Sequence, residues 1–398
     1  MQRREFFKIS FAASAALFGS KSSAFATSKP IDTQKVSPVL FPEKKPLIVH
    51  SDRPPLLEAP RTTFTRAITP NDEFFVRWHM PIIPTPINMD TYYIHIHGEV
   101  EKRLYLRVAD LKKDFKPVEV TAVMQCGGNS RSAFHPSTSG IQWGSGAMAC
   151  ATFKGVRLKD VLAKAGLKNS AEWISLNGDD KAVMAKIESF KRELKIDEIS
   201  DDTIIAYEMN GREIPFLNGY PVRLVIPGLY ADSWVKQLSD IYVTKEYQPY
   251  FFMDVAYRIP DNECECEEPN NLAKKTKPLE EMNVKSYIGY PDNQMQIQSG
   301  TNLRVKGVAF DEGYGIKNVF ISLDMGKTWQ QATLGKELSK YAFREFSYNL
   351  KPMKKGTLTI MAKAVNNKGE EQPFAHDIPW NHGGYKYNGI DSVTVEVV

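Results

Sequence analysis

The sequence of 398 residues predicts an α+β domain with a mixed sheet, followed by an all-β immunoglobulin-like sandwich. Strand-like alternation and helical periodicity both occur between residue 61 and about residue 258. From residue 284 onward every apolar segment alternates, and seven such segments in about 115 residues are typical of an immunoglobulin-like sandwich. With 42% hydrophobic and 25% charged residues, the composition is that of an ordinary globular protein.

The first 26 residues are predicted to be an export signal. The pair Arg3-Arg4 precedes a mostly apolar stretch at residues 9–19, and small residues form a cleavage site that ends at Ala26. This pattern is typical of a bacterial twin-arginine signal and predicts a periplasmic protein. The apolar stretch is well short of the roughly 20 residues that cross a bilayer, so no membrane span is expected.

Charge excludes nucleic-acid binding as the main function. The chain has 51 Lys and Arg residues against 47 Asp and Glu residues, a formal net charge of +4. Loss of the signal would remove four basic residues and one acidic residue, which leaves a net charge of +1. A chain this close to neutrality lacks the basic surface that nucleic acids require.

The patterns place boundaries after the signal. Residues 27–60 are rich in Pro, Lys and Ser and predict an extended arm that lies over the surface. A catalytic domain is predicted at residues 61–275 and the sandwich at residues 276–398, with an acidic and then Lys-rich linker around residues 259–282.

Individual elements follow from hydrophobic periodicity. In the first domain, strands are predicted at residues 92–97, 118–124, 203–209 and 222–226. A helix is predicted at residues 156–167, with Gly166 as its stop signal. In the sandwich, strands are predicted at residues 284–290, 303–310, 319–323, 328–333, 343–350, 357–365 and 392–398.

The most informative segment is residues 123–131, with the sequence VMQCGGNSR. An apolar strand leads directly to Cys126 at a Gly-Gly turn, and Arg131 follows five positions later. A thiol on backbone that can approach a ligand closely, with a cation nearby to favour the thiolate, suits a soft-metal ligand or a nucleophile. A buried free cysteine at a turn is the alternative interpretation.

Several other cofactor and catalytic motifs are missing from the sequence. It contains no C-x-x-C-H haem motif, no C-x-x-C pair, no H-E-x-x-H motif, no P-loop and no G-x-S-x-G motif. We therefore expect no haem in this chain. A metal bound by Cys126 would take most of its other ligands from a cofactor.

From about Phe75 to the C-terminus, the chain resembles the sulfite oxidase family of molybdenum–pterin enzymes. The matching blocks occur in order at residues 76–79 (VRWH), 126–131 (CGGNSR), 142–147 (QWGSGA), 206–211 (AYEMNG), 218–223 (NGYPVR) and 322–329 (SLDMGKTW). The resemblance is closest to the haem-free bacterial sulfite dehydrogenases of the periplasm. It implies that the first domain binds Mo-molybdopterin and that the sandwich is a dimerisation domain.

The resemblance also implies a role for individual residues. Cys126 would be the sole protein ligand of molybdenum. The catalytic residues around the anion pocket would be Arg77, His79, Arg131 and Tyr257. The pterin would be bound by Phe75, Val76, Arg77, Trp78, His79, Asp179, Asn218, Arg223, Trp234, Val235 and Lys236. Guanidinium groups independently suit a small dianion such as sulfite, because they form bidentate, charge-assisted hydrogen bonds.

The implied activity is oxidation of sulfite to sulfate by oxo transfer, with electrons passed singly to a c-type cytochrome. The protein would be a homodimer or a heteromer with a cytochrome subunit. Alternatives with the same cofactor are another sulfur oxyanion, a sulfane of a thiosulfate pathway, or oxo-transfer reduction. The alternative from another class is a non-enzymatic secreted binding protein in which Cys126 is only structural.

The resemblance is broken at two positions near the anion pocket. Vertebrate enzymes carry a lysine where this chain has Ser139 and an arginine in the region of Gly383. His382 or Lys386 could substitute for the missing cations. Substrate affinity could therefore differ from that of the vertebrate enzymes.

The remaining cysteines and a histidine pair have simpler interpretations. For Cys264 and Cys266 an exposed unpaired loop is favoured over adventitious metal binding or a labile disulfide, because a bond across one residue is expected to be strained. Cys150 lies in an apolar run and is predicted to be a core residue. His95 and His97 share one face of a strand and are predicted to be surface histidines rather than metal ligands.

Overall fold

A computed structural model describes residues 41–184 and 188–398. The predicted signal at residues 1–26 and the start of the predicted arm lie outside the described residues. Within the described part of the chain, no helix is long and apolar enough to cross a membrane.

Up to residue 278, the described chain contains fifteen strands and three short α-helices, which are joined by loops and 3-10 turns. The strands are β1 (Ile48–Asp52), β2 (Pro55–Glu58), β3 (Val76–Arg77), β4 (Ile94–Gly98), β5 (Leu104–Leu106), β6 (Val118–Gln125), β7 (Met148–Arg157), β8 (Trp173–Gly178), β9 (Lys191–Lys195), β10 (Ile204–Met209), β11 (Arg212–Glu213), β12 (Arg223–Val225), β13 (Leu238–Thr244), β14 (Arg258–Pro260) and β15 (Thr276–Pro278). The helices are α1 (Val108–Asp114), α2 (Leu158–Ala165) and α3 (Phe251–Asp254).

Two five-stranded sheets organise this part. One has the order β11–β10–β7–β6, with β12 also paired to β10, and is antiparallel throughout. The other has the order β5–β4–β13–β8–β9, in which β4 and β13 are parallel and the remaining pairs are antiparallel. The predicted mixed sheet is therefore confirmed, although helices are fewer and shorter than an α+β domain suggests.

The elements predicted in this part are found with small shifts at their ends. The four predicted strands correspond to β4, β6, β10 and β12, and the predicted helix to α2. The helix ends before Gly166, which has a φ of 72° and donates its amide to carbonyls of the last helical turn. Glycine is suited to this position because it lacks the Cβ that penalises positive φ.

One large hydrophobic core joins both sheets to the two longer helices. Ile96, Leu176 and Ile205 from the sheets are fully buried together with Leu111 of α1 and Val161 of α2. Burial of each such side chain contributes roughly 1.5–3 kcal/mol. The core therefore provides a rigid support for the loop that follows β6.

In the described end of the predicted arm, residues 41–54 are exposed or partly exposed, whereas residues 55–59 are buried. β2 is buried along its whole length and pairs with both β1 and β3. Its Glu58 carboxylate accepts hydrogen bonds of 2.9 Å from the amides of Gly144 and Gly146. Composition did not reveal this burial, because the two leucines of β2 stand in a Pro-rich segment.

The rest of the chain forms two facing sheets. The strands are β16 (Lys285–Tyr290), β17 (Gln296–Ile297), β18 (Leu303–Phe310), β19 (Ile316–Ser322), β20 (Gln330–Gln331), β21 (Thr333–Leu334), β22 (Arg344–Leu350), β23 (Gly356–Asn366) and β24 (Asp391–Val397). The sheets have the orders β16–β18–β22–β21 and β17–β24–β23–β19–β20. Residues of both sheets form one shared hydrophobic core, as the alternating pattern predicts.

Six of the seven strands predicted here are single strands in the structure. The segment at residues 328–333 is instead divided between β20 and β21, which belong to different sheets. β17 was not predicted, because two residues give no periodicity.

Two predictions about cysteines have different outcomes. Cys150 is fully buried in β7, as expected. Cys264 and Cys266 form a disulfide with a Cα–Cα distance of 5.1 Å, so the prediction of an unpaired loop was wrong. Glu265 between them has a φ of 49°, and this turn brings the two Cα atoms to a separation that is common for disulfides.

Candidate active site

Two cavities meet at Cys126. The inner cavity lies among buried residues of the first part of the chain. The outer cavity has exposed residues, Ser139 and His382, at its edge. Four residues line both cavities: Arg77, His79, Cys126 and Tyr257.

The loop after β6 fixes the position of Cys126. The Cys126 amide donates a 2.9 Å hydrogen bond to the Ala147 carbonyl, and its own carbonyl accepts one from the Asn129 amide. At Gly127 a Cβ would lie 2.4 Å from a Leu279 methyl group. The backbone is therefore closely packed here, while the side chain of Cys126, which is 8% exposed, faces both cavities.

Arg131 is held in place by backbone carbonyls and an aromatic ring. Its Nε donates to the Gly383 carbonyl at 2.9 Å, and one terminal nitrogen donates to the Ile141 carbonyl at 3.0 Å. Its guanidinium carbon lies 5.3 Å from the centre of the Tyr385 ring. Arg131 is buried and has no carboxylate partner among the described residues, so its charge is available to an anion in the outer cavity.

His79 and Tyr257 form a hydrogen-bonded pair beside Cys126. The His79 ring stacks on Phe190 with a centroid distance of 3.9 Å, and its Nδ1 is a buried atom without a partner among the described residues. Burial, together with nearby positive charges that include Arg77, lowers the pKa of His79 well below its ordinary value. Burial raises the pKa of Tyr257, so at neutral pH the histidine is neutral and the tyrosine keeps its proton.

Three cationic side chains face the inner cavity: Arg77, Arg223 and Lys236. Arg223 is 2% exposed, and its terminal nitrogens donate to the carbonyls of Asn218 and Trp234 at 2.7 and 3.1 Å. Lys236 donates to the Arg77 carbonyl at 2.8 Å. Burial lowers the pKa of Lys236 to about 7 and that of Arg223 as well.

This concentration of buried charge favours an anionic ligand. The Nε atoms of Arg77 and Arg223 are buried and have no hydrogen-bond partner within the described ranges. An isolated buried charge is costly, and a phosphate or a thiolate close to these groups would offset that cost. These residues therefore fit a phosphate-bearing pterin, whose phosphate the cations would hold, and Cys126 would hold its metal.

Seven of the eleven predicted pterin residues line this cavity, and four do not. Phe75, Asn218 and Trp234 line it together with the cations. Val76, Trp78, Asp179 and Val235 are not part of the lining. The Trp78 ring is fully buried beneath the Lys236 ammonium group, 4.5 Å from the ring centre, so it supports the cavity wall from behind.

Comparisons with known proteins agree with this geometry. A family model described as oxidoreductase molybdopterin binding domain matches residues 79–252, and one described as Mo-co oxidoreductase dimerisation domain matches residues 276–397. The sulfite oxidase of Gallus gallus is 31% identical over 86% of this chain and 76% of its own length. The chain belongs to the sulfite oxidase family. Its cofactor is Mo-molybdopterin, and the cationic inner cavity beside Cys126 fits that group.

Two further comparisons, one with a relative and one with a solved structure, agree with this assignment. The mitochondrial sulfite oxidase of Rattus norvegicus is 32% identical over 88% of this chain, and the match covers 66% of the rat protein, so the chain spans about two thirds of that relative. A solved structure of the sulfane dehydrogenase SoxCD from Paracoccus pantotrophus aligns over 96% of both chains with a TM-score of 0.76. At 24% identity, this likeness shows a shared fold.

Sequence reasoning missed several residues of this candidate active site. Met124, Phe190, Leu217, Ala231 and Asp232 also line the inner cavity, and Trp143, Phe252 and Tyr385 line the outer one. Among the missed residues of the inner cavity, Asp232 carries an ionisable group, and it forms a buried ion pair of 3.0 Å with Arg192. Burial raises its pKa to about 6, although the Arg192 charge opposes that shift. Asp232 could have been found from the sequence, because it lies two residues before Trp234, which was a predicted pterin residue. No local pattern marks Phe190 or Phe252 as part of the site.

Proposed function

We propose that this member of the sulfite oxidase family oxidises sulfite to sulfate and passes the two electrons singly to a c-type cytochrome. The observation that carries the proposal is the outer cavity, which joins the solvent to Cys126 and is lined by Arg77, Arg131, His79 and Tyr257. An opening of this kind suits a small dianion, because guanidinium groups already fixed in place bind it with little reorganisation.

The cofactor, when bound, supplies an oxo group to the sulfur and accepts the two electrons. The chain's own residues orient the substrate and manage protons. Arg131 is fixed by the Gly383 and Ile141 carbonyls and binds a sulfite oxygen, while Arg77 adds a second positive charge. Conversion of sulfite and water to sulfate also releases two protons. His79 is neutral and Tyr257 is protonated, so the pair can relay these protons to the solvent one at a time: as one partner takes up a proton from the site, the other gives one up through their shared hydrogen bond.

The test is sulfite-dependent reduction of ferricytochrome c by the purified protein, with molybdenum measured in the same samples. We expect turnover in proportion to molybdenum content and its loss in Cys126→Ser. Cys150→Ala is the matched control, because Cys150 is buried in β7 and lines neither cavity. Full molybdenum loading without sulfite turnover would reject sulfite as the substrate.

A second candidate substrate is a sulfane sulfur carried by another molecule. The exposed edge at Ser139 and the absence of a side chain at Gly383 leave the outer cavity open beside Arg131, which would admit a larger substrate than free sulfite. Turnover with a persulfide compound but not with sulfite, in the same molybdenum-loaded protein, would favour this candidate.

We further propose export to the periplasm through the twin-arginine signal at residues 1–26. The motif at Arg3 and Arg4 supports this location. Replacement of both arginines by lysine should retain the protein in the cytoplasm, as measured by fractionation of the producing cells. Unchanged export of that variant would contradict the proposal.

We also propose that residues 276–398 form an immunoglobulin-like sandwich through which two chains associate. The two facing sheets with one shared core and the match to a dimerisation-domain model support this arrangement. Light scattering of the purified protein should give twice the mass of one chain. A monomer, or a complex that forms only with a cytochrome, would contradict the homodimer.

A further inference from the structure

A histidine-rich cluster lies on the mixed sheet, separate from the lining of the two cavities. His95 and His97 are alternate residues of β4, so both side chains point to the same face of the sheet. Asp240 lies on the neighbouring strand β13, where it is in register with His95. β4 and β13 are the parallel pair of this sheet.

The three side chains converge on one point. Asp240 Oδ1 lies 3.0 Å from His97 Nε2 and 3.6 Å from His95 Nδ1. One ligand atom from each of the three residues lies within 4.8 Å of the others. An ion about 2.0–2.2 Å from each donor places neighbouring donors roughly 3.0–3.5 Å apart, so the side chains must rotate to bring all three into contact with one ion.

Aromatic stacking holds the two imidazole rings in place. Tyr105, His95, His97 and Tyr242 form a continuous stack across β5, β4 and β13, with centroid distances of 4.5, 4.2 and 4.8 Å. The two imidazole planes are parallel to within 6°. The rings are ordered by this stack, and one of them must turn out of it for both to bind the same ion, because the lone pair of an imidazole nitrogen lies in the ring plane.

Hydrogen bonding in the cluster is incomplete without a further ligand. His95 Nε2 is buried and has no hydrogen-bond partner within the described ranges. A buried nitrogen without a partner is unfavourable, and coordination through Nε2 itself would remove the deficit. The side chains of His95, His97 and Asp240 are 24%, 26% and 33% exposed, so an ion can reach them and keep water as a further ligand.

We propose that His95, His97 and Asp240 form a binding site for one divalent transition-metal ion, of which Zn²⁺ is the representative. Two imidazoles and one carboxylate are ligands that Zn²⁺ prefers, and a three-residue site leaves a position for water. The bound ion would join β4 to β13. The site is distinct from the molybdenum site, and this inference does not depend on the substrate proposed above.

The test is calorimetric titration of the full, molybdenum-loaded protein with Zn²⁺. We expect one ion per chain, with an affinity that falls at least tenfold in both His97→Ala and Asp240→Asn. Zn²⁺ should also raise the melting temperature of the wild-type protein but not that of the variants, because a ligand that binds only the folded state stabilises it. His376→Ala is the matched control, since His376 is an exposed histidine outside the cluster.

Asp240→Asn keeps the shape of the side chain, so it remains informative even if His97→Ala folds poorly. Unchanged molybdenum content will identify variants that fold correctly. A Cu²⁺ spectrum with two nitrogen ligands in the wild-type protein and one in His97→Ala would give independent support. Absence of Zn²⁺ binding, or equal affinity in the wild type and both cluster variants, would overturn the proposal.

Discussion

The guanidinium of Arg223 is buried against the carbonyls of Asn218 and Trp234, without a carboxylate partner in the described chain. Such a group destabilises the empty protein, because charge is removed from water with incomplete compensation. The same group stabilises the loaded protein if it faces the phosphate of the pterin. Arg223 is therefore expected to lower the stability of the cofactor-free protein and to raise that of the cofactor-loaded protein.

Arg223→Met should separate these two effects. We expect the cofactor-free variant to melt at a higher temperature than the cofactor-free wild type, while molybdenum retention falls at least tenfold. Thermal denaturation and elemental analysis measure the two quantities. Arg344→Met is the control, because Arg344 also donates to backbone carbonyls but lies in β22, away from the cavities. Lower stability together with unchanged molybdenum would contradict this assignment.

Tyr257→Phe tests the proton-donating group. We expect kcat for sulfite to fall about 100-fold with unchanged molybdenum, since a positioned proton donor typically contributes a factor of this size. Burial raises the pKa of Tyr257, so the wild-type rate should show no decline from loss of this proton below pH 10. Steady-state kinetics across pH will check both points. Tyr341→Phe is the control, and an effect on KM alone would indicate that the hydroxyl only binds substrate.

At the residue scale, sequence predicted the local parts of the site and missed its assembly. The spacing of Cys126 and Arg131 is visible in the sequence because one loop carries both. His79 and Tyr257 are 178 positions apart, and no local pattern indicates that their side chains meet. Family resemblance assigned both residues to the site, but their hydrogen bond and their pKa shifts follow from burial.

The turn between β19 and β20 carries the family block at residues 322–329, and its side chains stabilise the turn rather than line either cavity. Asp324 accepts hydrogen bonds from the Thr328 amide and hydroxyl at 2.9 and 2.6 Å, and from the Ser322 hydroxyl at 2.8 Å. Gly326, with a φ of 83°, completes the turn. The hydrogen bonds from Thr328, followed by that from Ser322, lower the pKa of Asp324 to about 2.

Asp324→Asn should lower the melting temperature at neutral pH. A carboxyl group whose pKa is lower in the folded state stabilises the fold above its unfolded-state pKa, and this contribution is lost as pH falls through the folded-state value. We therefore expect the difference from wild type to shrink between about pH 4 and pH 2. Asp261→Asn is the control, because the Asp261 side chain is exposed. A difference that is constant with pH would show that the charge is not responsible.

β18 and β2 illustrate why one strand was predicted and another was not. β18 alternates between buried and exposed residues at its start, and its predicted bounds are those of the structure. β2 is buried on both faces and has no alternation, so its Pro-rich surroundings suggested a surface arm. The alternation that identifies a strand requires one face to remain in contact with water.

For the molecule as a whole, the C-terminal part contributes directly to the active site. Gly383 and Tyr385 line the outer cavity, and the Gly383 carbonyl orients Arg131. Lys285 of β16 is buried and donates to the Ser130 hydroxyl at 2.7 Å and to the Tyr387 carbonyl at 3.1 Å. The sheets that carry the dimerisation-domain match therefore also brace the loop that follows Cys126.

Lys285→Met tests this connection. Burial lowers the pKa of Lys285 from 10.5 to about 8, so the unfolded chain binds more protons between these values and the wild-type fold gains stability as pH rises. At about 1.4 kcal/mol per pKa unit, the gain is on the order of 3 kcal/mol. We expect the melting temperature of the wild type to rise relative to that of Lys285→Met from pH 8 to pH 10.5. Lys306→Met, at an exposed position of β18, should show no such trend.

Periodicity, composition and short motifs were enough for four strands of the first part, six strands of the second part, the α2 helix and the Cys126 loop, because each depends on residues close together in the chain. The disulfide between Cys264 and Cys266, the burial of β2 and the approach of Gly383 to Arg131 were decided by packing. Packing of β4 against β13 likewise brings Asp240 close to His95 and His97. These contacts bring together residues or conformations whose energies depend on burial, and burial is fixed only when the whole core has formed.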